Sequence, residues 1–261
     1  MSFLTISDTH GHFNATKSAL NKKGLKKNKS NKVLLVGDIL DRGPDAVRLT
    51  DYLITLLKED RLILIRGNHE DLIEDALQKL EEGKVGAVVG CFSHHRLNGT
   101  LDTILQLSGM SLSETVANPR EAAKRVKDSP YYRILLPACI NYYETDNYIF
   151  THGWIPCRVE GYGTEKRYYY NPGWRNASAD EWRAARWLNG MKLAFEHGVV
   201  EPRKTIVCGH INASYGHACI ENTCTVGGPD EDFSPYYGDG IIAIDGSVAN
   251  SGKINCIKID D

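Results

Sequence analysis

No run of apolar residues in this 261-residue chain approaches the roughly 18 that span a bilayer, so the sequence predicts no membrane segment. The opening stretch FLTI has no basic lead and stops at Asp8, which does not make a secretory leader. Neither sign of charge dominates: 31 Lys and Arg against 33 Asp and Glu leave a net charge of −2. That balance gives no ground for expecting bulk affinity for nucleic acid or an anionic membrane. The seven cysteines (Cys91, Cys139, Cys157, Cys208, Cys219, Cys224 and Cys256) are irregularly spaced. No two stand at the two-residue separation of a zinc knuckle or redox motif. They read as reduced thiols, and a cytoplasmic protein is the expectation. There is no internal repeat and no shift of composition that would mark a boundary, so 1–261 reads as a single domain. What the chain does have is apolar content, 42%, enough to bury a sizeable core.

That content is organised. β-branched-rich runs recur at Phe3–Ile6, Val33–Val36, Leu62–Ile65, Tyr148–Thr151, Thr205–Val207, Ile241–Ile244 and Ile254–Ile259. Most are continuous rather than alternating, as expected of strands buried on both faces. The first three are separated by helical patterns at Ala15–Lys23 and Asp45–Lys58, the second preceded by Pro44. A βαβαβ order predicts parallel pairing. Glu70–Glu82 predicts a further helix, with acidic residues in its early turns. Residues 83–147 read as a mostly helical insertion, 157–175 as a long Tyr- and Gly-rich loop, Ala179–His197 as helix, and 211–239 as loop. The Tyr168–Tyr170 run reads as packing for its loop.

Polar residues follow these runs in a fixed manner. Asp8 and His10 come after the first, Asp38 after the second, Asn68 and His69 after the third, His152 and His210 after two later ones. In a parallel sheet the carboxyl ends share one edge, where α/β proteins place ligands. Carboxylates, imidazoles and an amide without thiolate suit manganese, iron, zinc or similar ions. The most economical arrangement is dinuclear. Asp8, His10 and Asp38 hold one ion, and Asp38, Asn68, His152 and His210 the other, with Asp38 bridging. Two cations roughly 3.5–4 Å apart can acidify a water and stabilise an in-line displacement at phosphorus.

The motifs SDTHGH (7–12), GDILDRG (37–43), RGNHE (66–70), THG (151–153) and CGH (208–210) resemble those of the calcineurin-like metallophosphoesterases, specifically the phosphoprotein phosphatase family. GDILDRG and RGNHE carry most of the likeness. The segment IAIDGSVANSGKINCIKID (242–260) resembles the closing strands of the compact bacterial and phage-type members. The resemblance implies an α/β fold with a central sandwich of two mixed sheets flanked by helices. It implies the same metal ligands, two divalent ions, with manganese first and iron or zinc in the same class, and direct attack by a metal-bridging hydroxide. It also implies that His69 is the general acid, oriented by Asp41, and that Arg42 and Asn68 touch the substrate phosphate. Family members commonly add a second phosphate-binding arginine. Arg175, Arg183 and Arg186 are candidates here, with Arg183 or Arg186 preferred. Arg66 reads as a buttress, His12 as a non-ligand, and His94, His95, His197 and His217 are left without a role.

The implied activity is hydrolysis of a phosphomonoester, with a phosphorylated protein or small phosphorylated molecule as substrate, most simply as a serine/threonine protein phosphatase. Symmetrical hydrolysis of dinucleoside tetraphosphates shares the motifs. A non-catalytic scaffold on the same fold is the third reading, and loss of a ligand or of His69 would mark it. None is lost.

Overall fold

A computed structural model describes residues 2–161, 163 and 166–261. The first sheet contains Ser2–Ile6 (β1), Lys32–Val36 (β2), Leu62–Ile65 (β3), Cys139–Ile140 (β4) and, at its other edge, Cys256–Asp260 (β12). Its order is β12-β1-β2-β3-β4. The β1–β2, β2–β3 and β3–β4 pairs are parallel and β12 is antiparallel to β1. The second sheet contains Tyr142–Glu144 (β5), Tyr148–Thr151 (β6), Thr205–Cys208 (β9), Tyr236–Gly238 (β10) and Ile241–Ala243 (β11). It runs β10-β11-β9-β6-β5, with parallel pairs in the centre and antiparallel pairs at both edges. Arg158–Glu160 (β7) and Arg167–Tyr169 (β8) form a separate antiparallel pair.

The continuous apolar runs follow from two-sided burial. Along β1 and β2, Phe3, Leu34 and Val36 turn inward between the sheets, where they meet Phe150 and Val207 of the second sheet. Leu4, Ile6, Val33 and Leu35 face the other way. There they pack beneath Phe13–Lys22 (α1), Ala46–Lys58 (α2), Asn68–Glu81 (α3) and the helices of 86–138. The outer face of the second sheet is covered by Trp154, Trp174 and Trp182, each at most 2% exposed. The result is a mixed α/β fold, two mixed sheets face to face with helices outside.

Four segments differ in detail from the sequence reading. The insertion is mostly helical as expected, but its last residues form β4 and β5, one strand for each sheet. The expected helix Ala179–His197 is two helices, Ala179–Ala185 and Gly190–His197. Asn189 accepts the Lys192 N–H and so starts a new helix. Gly190 lies against the Trp154 ring, where a side chain has no room. The loop expected over 157–175 includes Tyr162, Thr164 and Glu165, which lie outside the described residues. Its described parts include β7, β8 and a short 3-10 turn at Trp174–Asn176. The expected loop 211–239 contains a π-type turn, Gly216–Ile220, and ends in β10. Single turns and three-residue strands are too short to leave a readable period.

Candidate metal centre

Parallel pairing puts the carboxyl ends of β1, β2, β3, β6, β9 and β11 on one side of the sandwich. The residues that follow are bent sharply there. Ten described residues other than glycine adopt a positive φ, and Asp8, His10, Asp38, Asp41, Arg42 and His210 are six of them. Such a backbone costs about 1–3 kcal/mol per residue and persists only where its surroundings enforce it. Gly37, at φ +77°, precedes Asp38, and a side chain there would strike the His152 ring. A side chain at Gly67 would collide with the Asp38 carboxylate. Both glycines are therefore required by the closeness of the functional groups.

Asp38 is the hub. Its Oδ1 accepts the backbone N–H of His69, at 3.0 Å, at the start of α3, so the carboxylate faces the positive end of that helix. Its donor oxygens belong to two groups whose ligand atoms lie within 4.8 Å of one another: His10, Asp38 and His69, and Asp38, His152 and His210. The sequence reading placed Asp8 with His10 and Asp38. In the structure Asp8 joins the cluster through the His210 N–H, at 3.1 and 3.2 Å from its two oxygens.

The imidazole tautomers are set from behind. His10 Nδ1 donates to the Leu40 carbonyl at 3.0 Å and His152 Nδ1 to the Val36 carbonyl at 2.9 Å. Both Nε2 atoms thus point into the centre, the arrangement by which proteins hold metal-binding histidines. His152 Nε2 lies 2.8 Å from Asn68 Oδ1 and 3.2 Å from Asp38 Oδ1. Three acceptor atoms this close need a cation among them, either a proton or a metal. With a proton, burial works against the charged ring, yet Asp38 holds the His152 pKa up at about 10. At His210 burial together with His152 outweighs the Asp38 charge and pushes the ring down to about 4. Burial also raises the Asp8 carboxyl well above the ordinary range, with Asp245 adding to the effect. A nest of buried carboxylates and inward-facing imidazoles is a donor set that fits divalent cations.

His69 occupies the middle of this nest. Its Nδ1 lies 2.7 Å from Asp41 Oδ2, and Thr100 Oγ1 donates to the same oxygen at 2.7 Å. The Asp41 N–H in turn donates to Thr103 Oγ1 at 2.9 Å. The insertion therefore positions Asp41 through two threonines of the helix Thr100–Ser108. Burial alone would lower the His69 pKa, but the Asp38 charge and the Asp41 hydrogen bond outweigh it and hold it above the ordinary value. Arg42 lies across the opening, with Nη1 3.0 Å from His10 Nε2 and Nη2 3.2 Å from His69 Nε2.

Two of the three late arginines are engaged by other partners. Arg175 bridges Glu144 and Glu201. Arg186 donates to Asp71 Oδ2 at 2.7 Å and to Asn141 Oδ1 at 2.6 Å. Arg183 is exposed on the helix Ala179–Ala185. Arg66 pairs with Asp71 and Glu74 beside α3.

Two acidic residues of the centre were missed by sequence reasoning. Asp245 is 4% exposed, and burial with the nearby Asp38 charge raises it to about 6. A signal for it was present, since it stands two residues beyond β11, as Asp8, Asp38 and His210 stand two beyond their strands. Glu70 was read only as an early-turn acid of α3. It is fully buried and accepts the N–H groups of Gly67, Asp38 and Ile39 at 2.7–3.0 Å. It thus ties the two most informative motifs together. Each buried donor left unpaired costs about 1–3 kcal/mol. Glu70→Ala is expected to lower the unfolding free energy by about 3 kcal/mol or more. Glu70→Gln, which keeps an acceptor, should cost less, and urea unfolding monitored by tryptophan fluorescence measures both.

Fold and site together define a class: a two-sheet α/β sandwich with carboxylate and imidazole donors gathered at its strand ends, suited to metal-dependent hydrolysis. Residues 1–230 match the family model of the calcineurin-like phosphoesterases, and the chain belongs to that family, whose members are metal-dependent hydrolases that use divalent ions. A symmetrical bis(5'-nucleosyl)-tetraphosphatase of Buchnera aphidicola subsp. Schizaphis graminum is 39% identical over 70 residues. A second, from Buchnera aphidicola subsp. Acyrthosiphon pisum, is 34% identical over the same length. Each match covers 27% of this chain and 24% of the relative, so the chain aligns with about a quarter of the length of these proteins. Among solved structures, a mutant cold-active protein tyrosine phosphatase superposes with a TM-score of 0.53 at 16% identity, over 100% of this chain and 75% of that one. That likeness establishes the fold.

Proposed function

We propose that this chain is a dinuclear metal-dependent phosphomonoester hydrolase acting on phosphoserine and phosphothreonine side chains of proteins. The observation that carries the reading is Asp38, shared by two donor groups, beside the His69–Asp41 pair. Asp8, His10 and Asp38 are assigned to one divalent ion and Asp38, Asn68, His152 and His210 to the other, with manganese as the first choice and iron or zinc in the same ligand class. Two such ions supply an acidified water and neutralise charge on the phosphoryl group.

The chain's own groups account for the remaining chemistry. His69, held by Asp41 and above its ordinary pKa, gives a proton from Nε2 to the departing alkoxide. While that nitrogen carries a proton, Arg42 cannot donate to it. The guanidinium is then free to turn and take two phosphate oxygens, the geometry it suits best. Asn68 contributes a further phosphate contact. Arg183 has no ion pair among the described residues, whereas Arg186 is engaged by Asp71 and Asn141, so a second arginine contact falls to Arg183.

A second reading, symmetrical cleavage of dinucleoside tetraphosphates, is favoured by the names of the Buchnera relatives. A manganese-supplemented substrate panel decides between them. Phosphoserine, phosphothreonine and phosphotyrosine peptides are compared with a dinucleoside tetraphosphate by kcat/KM. A preference of about a hundredfold, about 2.7 kcal/mol in transition-state binding, is expected for the phosphoserine and phosphothreonine peptides. The reverse preference establishes the second reading. Metal bound without turnover of any substrate establishes the scaffold reading.

A further inference from the structure

Trp187, in the turn between the helices Ala179–Ala185 and Gly190–His197, connects the metal centre to a second cavity. The edge of its ring meets His210 at a centroid distance of 5.7 Å and an angle of 87°, and His94 lies against it at 5.7 Å. It is 41% exposed. Behind it opens a cleft of about 480 Å³, lined by Trp187, Tyr168, Leu188, Lys166, Lys192 and His197 among others. Nothing in the proposed chemistry uses these residues.

The lining is apolar at its base and basic at its rim. Lys166 is exposed and has no ion pair among the described residues. Lys192 has only a long contact with Glu196, 3.7 Å between half-exposed side chains. His197 stands edge-on to Tyr168 at 5.3 Å. In a chain of net charge −2, two lysines around one aromatic-walled cleft make a local positive field beside the site. β8 supplies Tyr168 and pairs only with β7 in a two-stranded sheet. One of its edges thus has no strand partner among the described residues, and such an edge can receive an extended segment. Trp187 both lines the cleft and stands 5.7 Å from His210 by ring centroids, a separation that an extended peptide, at ~3.3 Å per residue, covers in a few residues.

We infer that the Lys166–Lys192 cleft is a specificity subsite for the acidic flank of a phosphopeptide, receiving Asp or Glu side chains a few residues from the phosphorylated one. The inference rests on the phosphoprotein reading of the metal site and adds a sequence preference to it. The attraction is between exposed charges, so it acts on capture of the substrate and weakens with salt.

The test compares two phosphoserine peptides, one flanked on both sides by Glu and one by Ala, with manganese-loaded enzyme. The expected kcat/KM ratio is about five- to tenfold in favour of the acidic peptide at low salt, and close to one in 0.5 M salt at a Debye length of roughly 4 Å. In the double variant Lys166→Glu/Lys192→Glu the preference should reverse toward a Lys-flanked peptide, with turnover of an aryl phosphate unchanged. Equal rates for the two peptides in the native enzyme, or a preference that survives charge reversal, would overturn the inference. So would competition by ADP that is lost on charge reversal, because the cleft would then be a nucleotide site. Fluorescence anisotropy of the labelled acidic peptide on metal-free protein reads the cleft without catalysis. Charge-dependent binding there, with no turnover of any phosphoester, upholds the cleft and sinks the hydrolase reading.

Discussion

His69→Asn is expected to leave the fold and metal content intact and to reduce turnover of alkyl phosphomonoesters by about 10²–10⁴-fold, the range for a positioned general acid. Asparagine preserves most of the volume beside Asp41 but cannot deliver a proton. The loss should depend on the leaving group. A phosphoserine alkoxide needs the proton, whereas the anion of an acidic phenol departs without it, so the variant should retain far more activity on an aryl phosphate. The ratio of the two activities is the informative measurement, because a merely structural defect would reduce both alike. Asp41→Asn gives a companion result of known sign. Burial already disfavours the charged imidazole, and the Asp41 hydrogen bond is among the interactions that raise the His69 pKa against it. Removing that carboxylate lowers the pKa. Activity that requires protonated His69 should then be lost at lower pH, and the alkaline limb of the kcat profile should move in the acid direction. An unmoved limb would assign the proton to another group.

The second large effect is expected at Asp38. Even partners that only orient a metal ligand contribute about 10–100-fold in metal affinity. Asp38 takes part in both donor groups, so Asp38→Asn should weaken both ions by more than that and reduce turnover below detection with every phosphoester. The fold should persist. An asparagine side-chain oxygen can still accept the His69 N–H and cap α3. Circular dichroism separates the two effects: a native spectrum with no bound metal is the expected outcome, and a native metal content would remove Asp38 from the centre.

How much of this was legible in the sequence depended on distance along the chain. Buried strands could be expected because burial on both faces leaves continuous apolar runs, as in Val33–Val36 and Leu62–Ile65, and a shared ligand edge because polar groups follow those runs, while the division into two sheets was implied by the resemblance of the motifs. The approach of Asp8 to His210, 202 residues apart, could be expected on that basis. Asp245 obeyed the same rule and was passed over, because DGS after an apolar run reads equally well as a turn. The roles of the insertion were not legible. Thr100 and Thr103 reach Asp41 from 59 and 62 residues away, and a threonine on a helix gives no signal of the group it will meet. Arg186 shows the opposite limit. Its position near Trp187 suggested a phosphate contact, while its guanidinium in the structure is held by Asp71 and Asn141. Side-chain partners supplied by distant helices depend on packing, which no local pattern encodes.

The central claim is a centre for two ions that share Asp38. Protein stripped with chelator and titrated with manganese should bind two ions per chain, by calorimetry and by elemental analysis after dialysis. Phosphoserine-peptide hydrolysis should rise with the second equivalent, and Asp38→Asn should lose both. A single ion per chain, or two ions that Asp38→Asn retains, would contradict it.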